Sequence, residues 1–318
     1  MRRLLGQHRR EVSVALALAG LLALLAVLTP GFFRWDNLRD LLVGNAPVLA
    51  AAVGMTLVIL ARHIDISIGS QFAICGVAAG LLAKTGLPMP LVAAGAIGVG
   101  AGLGALNGAL VAGLELPAIV VTLATMVLLR EGLRWATEGV WVQDLPAGFQ
   151  WLGLGQEAGR LAVIAAAFVV FLAFAWGLRY LAAGRAVYAT GSEPEAARLA
   201  GIRPRRVVFA VFVFMGGLSG LAALLTSIQF IDVQTSAGVG LEMKVIAAVV
   251  VGGTAISGGR GTLLGTLVGV ALLGTIGPAL TFLGTEAHWE RALQGLVILA
   301  AVAADAVRSK AGGGDGLR

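Results

Sequence analysis

Apolar residues fill this chain in long unbroken runs, and charged residues gather in the short segments between them. Runs free of charge cover Val12–Leu28, Leu41–Leu60, Ile66–Ala83, Pro90–Leu114, Leu116–Leu129, Leu161–Leu178, Val207–Ile231, Val245–Gly259, Gly261–Thr285 and Ala292–Ala304. A membrane-crossing helix needs about 20 mostly apolar residues, so the pattern predicts about ten transmembrane helices. Several runs are short or interrupted by Gly and Pro, which predicts that some helices are broken or half-buried. Leu116–Leu129 is the weakest run, and eight or nine spans remain open. The predicted fold is an all-α polytopic membrane protein, a single transmembrane domain over residues 1–318 with no room for a soluble catalytic domain.

The first run follows Arg2, Arg3, Arg9 and Arg10 and leads into Thr29-Pro30-Gly31-Phe32-Phe33-Arg34. No small-x-small cleavage site follows it, so it reads as a retained helix with a cytoplasmic N-terminus rather than a signal peptide. Alternating the spans from there puts 15 of the 23 Lys and Arg on the inside, including Arg62, Arg260 and all six Arg between Arg179 and Arg206. The positive-inside rule favours this orientation, with both termini cytoplasmic. Trp35, Trp135, Trp141, Trp151 and Trp289 then fall near outer ends, where interfacial aromatics belong.

Composition sharpens the picture. The chain is 58% hydrophobic and 13% charged, against about 45–50% and about 25% in soluble domains, which excludes a soluble protein. The single cysteine, Cys75, excludes a disulfide scaffold. The net charge of +6 lies in loops without interleaved aromatics, so it speaks for orientation in a bilayer and not for nucleic acid. His8, His63 and His288 stand on separate loops with no metal-site spacing, and no catalytic constellation is visible. Gly100, Gly104 and Gly108, Gly98 and Gly102, Gly76 and Gly80, Gly216 and Gly220, and Gly261, Gly265 and Gly269 recur every four residues. That spacing places each set on one helix face, where backbones can approach closely.

The loop 181–206 is the most informative segment. Ser192 can cap a short helix, Pro194 suits its first turn, and Glu193 and Glu195 complement its positive end. Gly201 suits its C-terminus and Pro204 stops it. Ala196, Ala197, Ala200 and Leu199 would let this helix lie in a groove of another protein; the alternative is an inert loop whose arginines fix topology.

The stretch Gly-Ser-Glu-Pro-Glu-Ala-Ala-Arg-Leu-Ala-Gly-Ile (191–202) resembles the coupling loop of permease subunits in bacterial ABC importers for monosaccharides and related small molecules. His63–Ser70, Leu116–Thr125, Gly240–Ala248, Gly252–Thr254, Gly258–Gly265, Trp289 and Gly295–Leu299 are similar to the same family, in order along nearly the whole chain. The ribose, rhamnose and autoinducer-2 permeases are the nearest in wording. The resemblance implies a subunit of the bacterial inner membrane that works with cytosolic ATP-binding-cassette ATPases, a periplasmic substrate-binding protein and a second permease subunit, as a homodimer or heterodimer. The ATPases would grip Ser192, Glu193, Pro194, Glu195, Ala196, Ala197, Leu199 and Gly201. The chain has no Gly-x-x-x-x-Gly-Lys-Ser/Thr loop, so ATP would be hydrolysed by the partners, with no cofactor bound here.

Asp65 reads either as a helix cap or as a pathway group. Asn45, Gln71, Asn107, Thr122 and Thr125 suit interhelical hydrogen bonds, or the neutral donors and acceptors a sugar pathway needs. Glu242 and Lys244 are expected at the outer start of a span, as dipole and snorkelling partners or as an outer gate or docking point. The longest outer loop, 135–160, is a candidate docking segment for the binding protein, or an interfacial amphipathic hairpin. An ion-coupled secondary transporter is the alternative function; it would need intramembrane carboxylates.

Overall fold

A computed structural model describes residues 9–284 continuously, and 289, 292, 293, 295, 296 and 299 beyond them. Eleven α-helices follow one another within residues 9–284: α1 Arg9–Leu28, α2 Trp35–Leu60, α3 Ile68–Lys84, α4 Met89–Gly108, α5 Ala118–Thr137, α6 Gln156–Tyr180, α7 Ala182–Ser192, α8 Pro194–Leu199, α9 Pro204–Ser227, α10 Leu241–Val251 and α11 Leu263–Phe282. A π-helical turn, Ala109–Gly113, prolongs α4. Among the described residues the only extended pairing is one bridge, Val142 with Val233. Among the described residues five helices are long and apolar enough to cross a membrane: α2, α4 with its π turn, α6, α9 and α11. α1 and α3 contribute shorter apolar helices, Val12–Leu28 and Ile68–Lys84.

Two expectations change. The run Val245–Gly259 does not form a continuous spanning helix. Its helix, α10, has 11 residues, about 16 Å at 1.5 Å per residue, roughly half the 30 Å hydrocarbon core. Gly252, Gly253, Gly258, Gly259 and Gly261 follow within ten residues, and the last four take positive φ (99°, 82°, 69° and 152°), which ends any helix. The weak run Leu116–Leu129 is a full 20-residue helix, α5, but it carries Arg130, Glu131 and Arg134 in its second half. Most of the expected last span, Ala292–Ala304, lies outside the described residues; its described positions 292, 293, 295, 296 and 299 are helical. His8 and His288 also lie outside them.

α2, α3 and α9 form the centre. Every residue of α2 from Ala46 to Leu60 is buried. α4 meets α9 along the spaced glycines. A methyl on Gly216 would collide with the Gly100 carbonyl, and one on Gly104 with the Phe212 carbonyl. α11 meets α10 in the same way, Gly269 against the Ala248 carbonyl and Gly252 against the Gly265 carbonyl. Gly98 and Gly102, on another face of α4, meet nothing within 4 Å. Spacing alone did not say which glycine faces pair.

The two ends of the bundle differ. At one end, called here the α8 end, α7 lies against the finish of α2 and leads directly into α8. At the other, the connections 138–155 and 228–240 are bound together. Val142 and Val233 exchange both backbone hydrogen bonds at 3.0 Å, and the Trp151 N–H donates to the Ile228 carbonyl at 2.7 Å. Lys84 Nζ reaches the Gln143 carbonyl at 3.0 Å, and Phe149 is fully buried. The 138–155 connection is thus folded onto the bundle, although Trp135 at the end of α5 stays 85% exposed.

Candidate functional site

α8 begins and ends for reasons that can be read in its residues. Pro194 occupies its first turn, where a missing N–H costs nothing. Gly201, at φ 83°, donates its N–H to the Arg198 carbonyl, and Ile202 donates to Ala197, both at 3.0 Å. Ser192 is not the cap. It is the last residue of α7, and Glu193, extended at φ −153° and ψ 97°, precedes α8 without a side-chain capping bond. The α7–α8 junction thus leaves one residue, not a loop, between two helices. Glu195 and Arg198 form a bidentate pair (2.7 and 3.1 Å). The Arg198 hydrogen bond and charge hold the Glu195 carboxyl below its ordinary range. Ala196, Leu199 and Ala200 are exposed, Leu199 at 79%. Ala197 faces inward and is buried, so it packs against its own chain.

Behind α8 lies a joint made of main chain. The Gly259 N–H donates to the Leu60 carbonyl at 2.9 Å, and the Tyr188 hydroxyl to the Gly261 carbonyl at 2.9 Å. A methyl on Gly191 would collide with the Leu60 carbonyl, and one on Gly259 with Ser192. α7, the end of α2 and the 252–262 loop that joins α10 to α11 therefore touch at one point. A cavity of about 460 Å³ opens beside it, lined by Arg62, His63, Glu115, Thr190, Pro194 and Arg205 among others.

Deeper in the bundle, three sequence-predicted side chains, Asp65, Gln71 and Asn107, bond Ser67, which the sequence pattern did not single out. Asp65 Oδ1 accepts from the Ser67 N–H (2.9 Å) and hydroxyl (2.5 Å), and Oδ2 from Gln71 Nε2 (3.1 Å). Ser67 Oγ in turn accepts from Gln71 Nε2 (2.7 Å) and Asn107 Nδ2 (2.8 Å). Thr122 donates to the Ile64 carbonyl at 3.4 Å. Asp65, Ser67, Gln71 and Thr122 are fully buried and Asn107 nearly so. Asp65 caps the turn ahead of α3 rather than the helix itself, because its partner N–H belongs to Ser67, one residue before Ile68. Gln71 Oε1 and Asn107 Oδ1 have no partner among the described residues. Thr125 is buried on α5, bonded to the Thr122 carbonyl at 3.3 Å.

Asn45 stands apart from this group. Its Nδ2 donates to Leu41 at 2.8 Å, and it lines a cavity of about 440 Å³ between α2 and α11 with Asp40, Lys244 and Gly274 among others. Glu242 and Lys244 do not act on one site: Lys244 lines that cavity, whereas Glu242 Oε2 crowds Gly69, on the first turn of α3. The segment 233–240 descends along α3, from Val233 beside Gly80 to Gly238 beside Gly69, so α10 starts within the bundle and not at its outer edge. Arg130 directly follows the run Leu116–Leu129. It reaches the Ala237 carbonyl at 2.8 Å, in the same region as Glu242. The available signal was its spacing: Thr122, Met126 and Arg130 share one face of α5, and Met126 accepts from Ser70 at 2.7 Å.

The polar group makes a stability prediction. Asp65→Leu strands three buried donor contacts, at about 1–3 kcal/mol for each unsatisfied group, and should lower the melting temperature sharply. Asp65→Asn keeps an acceptor for Ser67, and its amide can bond Gln71 Oε1 once the Gln71 amide turns over, so its loss should stay near 1 kcal/mol. Equal melts for the two variants in detergent would mean that the network contributes no stability.

Comparison with known proteins agrees in one direction. Residues 37–302 match the family described as "Branched-chain amino acid transport system / permease component". The chain is 35% identical over 296 residues to an autoinducer 2 import system permease protein of Enterobacter sp. (strain 638), covering 93% of this chain and 86% of the relative. It is 35% identical over 302 residues to the ribose import permease protein of Escherichia coli K12, covering 93% of each. No solved structure matches the chain.

Proposed function

The chain belongs to the family of branched-chain amino acid transport system permease components, and from that premise we propose that it is the membrane-spanning permease subunit of an ATP-driven importer for a neutral, sugar-like molecule. Its relatives named for ribose and autoinducer 2 import support that substrate class over a charged one. The neutral Ser67, Gln71, Asn107, Thr122 and Thr125 around Asp65 support it too, because spare amide oxygens suit a hydroxyl-rich solute.

The single observation that carries the reading is α8. It is a six-residue helix with a short apolar and charged outer face, separated by one residue from α7, whose Gly191 and Ser192 meet the end of α2 and the α10–α11 loop through main chain. In this reading α8 is the cytoplasmic seat of separate ATPase subunits, and the chain crosses the inner membrane about ten times with both termini inside. α10 and the 252–262 loop count together as a broken crossing. The opposite end, with its bound-down 138–155 and 228–240 connections, receives a periplasmic binding protein. A second permease subunit completes the pathway. Asp65, Asn45, Gln71, Asn107, Thr122 and Thr125 are assigned to or beside that pathway, and Glu242 and Lys244, which face different surroundings, to two separate points along it. All of this falls within one domain, 1–318.

One observation favours an ion-coupled transporter: the structure puts the Asp65 carboxyl wholly inside the bundle and Glu242 partly so, the kind of group ion coupling uses. Vesicles reconstituted with the chain alone, and with cognate ATPase and binding protein, separate the two. The expected result is uptake of labelled ribose or autoinducer 2 only with ATP and both partners. Uptake driven by a proton or sodium gradient through the chain alone would replace this function with the second.

A further inference from the structure

We propose that the groove enclosed by α6, α7 and α9 is a binding site for an anionic phospholipid, the acyl chain lying in the groove and the phosphate on Arg206. This goes beyond the transport reading and needs only that α6 and α9 cross a membrane. The groove holds about 390 Å³. Its walls include Leu178 on α6 and Val211 on α9, with Val187 of α7 beneath, and its lining side chains are apolar save one, Arg206. An apolar hollow on two membrane-length helices takes an apolar occupant, and the lone guanidinium says what that occupant carries at its end.

Three features fix the geometry. Leu181, extended at ψ 151°, ends α6 and turns the chain into α7, so the groove opens where the chain swings aside. At its far end Phe174 of α6 and Phe214 of α9 meet edge to face, ring centroids 5.6 Å apart. That contact makes the groove a blind pocket. A helix of a second copy, about 10 Å across with its side chains, needs a through-going seam; a flexible acyl chain does not. Finally, Arg206 lies in the first turn of α9, just after Pro204, at the level where a long basic side chain can lay its stem on apolar surface and hold its head among lipid phosphates. Its neighbour Arg205 pairs with Glu115. No carboxylate pairs with Arg206 among the described residues. A guanidinium also matches phosphate in a forked geometry that a choline headgroup's own cation would oppose.

The test is native mass spectrometry of the full chain in detergent, titrated with phosphatidylglycerol and, separately, with phosphatidylcholine of the same acyl chains. The wild type should retain phosphatidylglycerol preferentially. Arg206→Gln leaves the groove intact and should weaken phosphatidylglycerol about tenfold, the loss of one charge-assisted contact, while leaving phosphatidylcholine unchanged. Ala210→Trp, which fills the groove, should weaken both; a melting curve checks that it folds. Arg203→Gln, a basic residue outside the groove, should change neither. Retention of phosphatidylglycerol by Arg206→Gln at the wild-type level overturns the proposal. So does conversion of dimers to monomers by Ala210→Trp, which would assign the groove to a second copy. Competition by inorganic phosphate as strong as by lipid would reduce the site to a plain anion contact and overturn it as well.

Discussion

Gly216→Leu should abolish accumulation of folded protein in the membrane. A side chain at 216 meets the carbonyl of Gly100 and the Gly104 nitrogen, and Gly100 in return lies against the Gly216 carbonyl and Gly220 nitrogen. Gly220 rests on the Ala96 carbonyl. Every obstacle is main chain of a paired helix, so no rotamer change can make room. Overpacking in a core that can shift side chains costs about 1–3 kcal/mol; forcing two backbones apart along a whole seam exceeds that, and close approach is itself what holds such helices together in lipid. The control is on the partner helix, α4: Gly102→Leu meets nothing within 4 Å and should leave yield and melting temperature near wild type. Equal melts for Gly216→Leu and Gly102→Leu would show that the seam is not a close contact.

Leu199→Arg is the second large effect, and it should appear in coupling rather than in folding. Leu199 is 79% exposed on α8, so the exchange disturbs no internal packing, yet it places a charge at the centre of the proposed ATPase seat. Loss of one anchor residue from an interface costs about 2 kcal/mol or more, about thirtyfold in affinity. ATP-driven uptake in reconstituted vesicles should fall to background while the chain stays inserted and melts normally. Glu195→Arg should do the same, since its exposed pair with Arg198 contributes little to stability. Ala197→Trp is the wrong probe for docking: Ala197 is buried, and a large side chain there should unfold the segment itself. Full uptake with Leu199→Arg would remove α8 from the coupling role.

Much of this architecture could be read in the chain, and the parts that could not share a physical cause. Gly100, Gly104, Gly216 and Gly220 carry their periodicity in sequence, because a helix converts four-residue spacing into one face; which faces pair is a matter of tertiary packing. Pro194 and Gly201 marked the bounds of α8 because their effect is local. Ser192 did not, since whether a serine caps a helix or ends the previous one depends on the backbone at Glu193. The hub at Ser67 was invisible for another reason: Asn107 reaches it from 40 positions away, and no local pattern records such a meeting. The depth of Glu242 was misread because residues 233–240 descend into the bundle without forming a helix, and hydropathy assigns loops to the surface.

The contact of Leu60, Gly191 and Gly259 has one further consequence. Joints built from side chains have slack, because a leucine or phenylalanine can change rotamer and swallow a displacement of an ångström or more. Here carbonyl, amide and glycine Cα atoms rest on one another, and none has a rotamer to change. A displacement of α7 at this point would therefore pass to the end of α2 and to the 252–262 loop with no rotamer change to absorb it. The joint behaves as a gear tooth, and its ratio is set by backbone geometry alone.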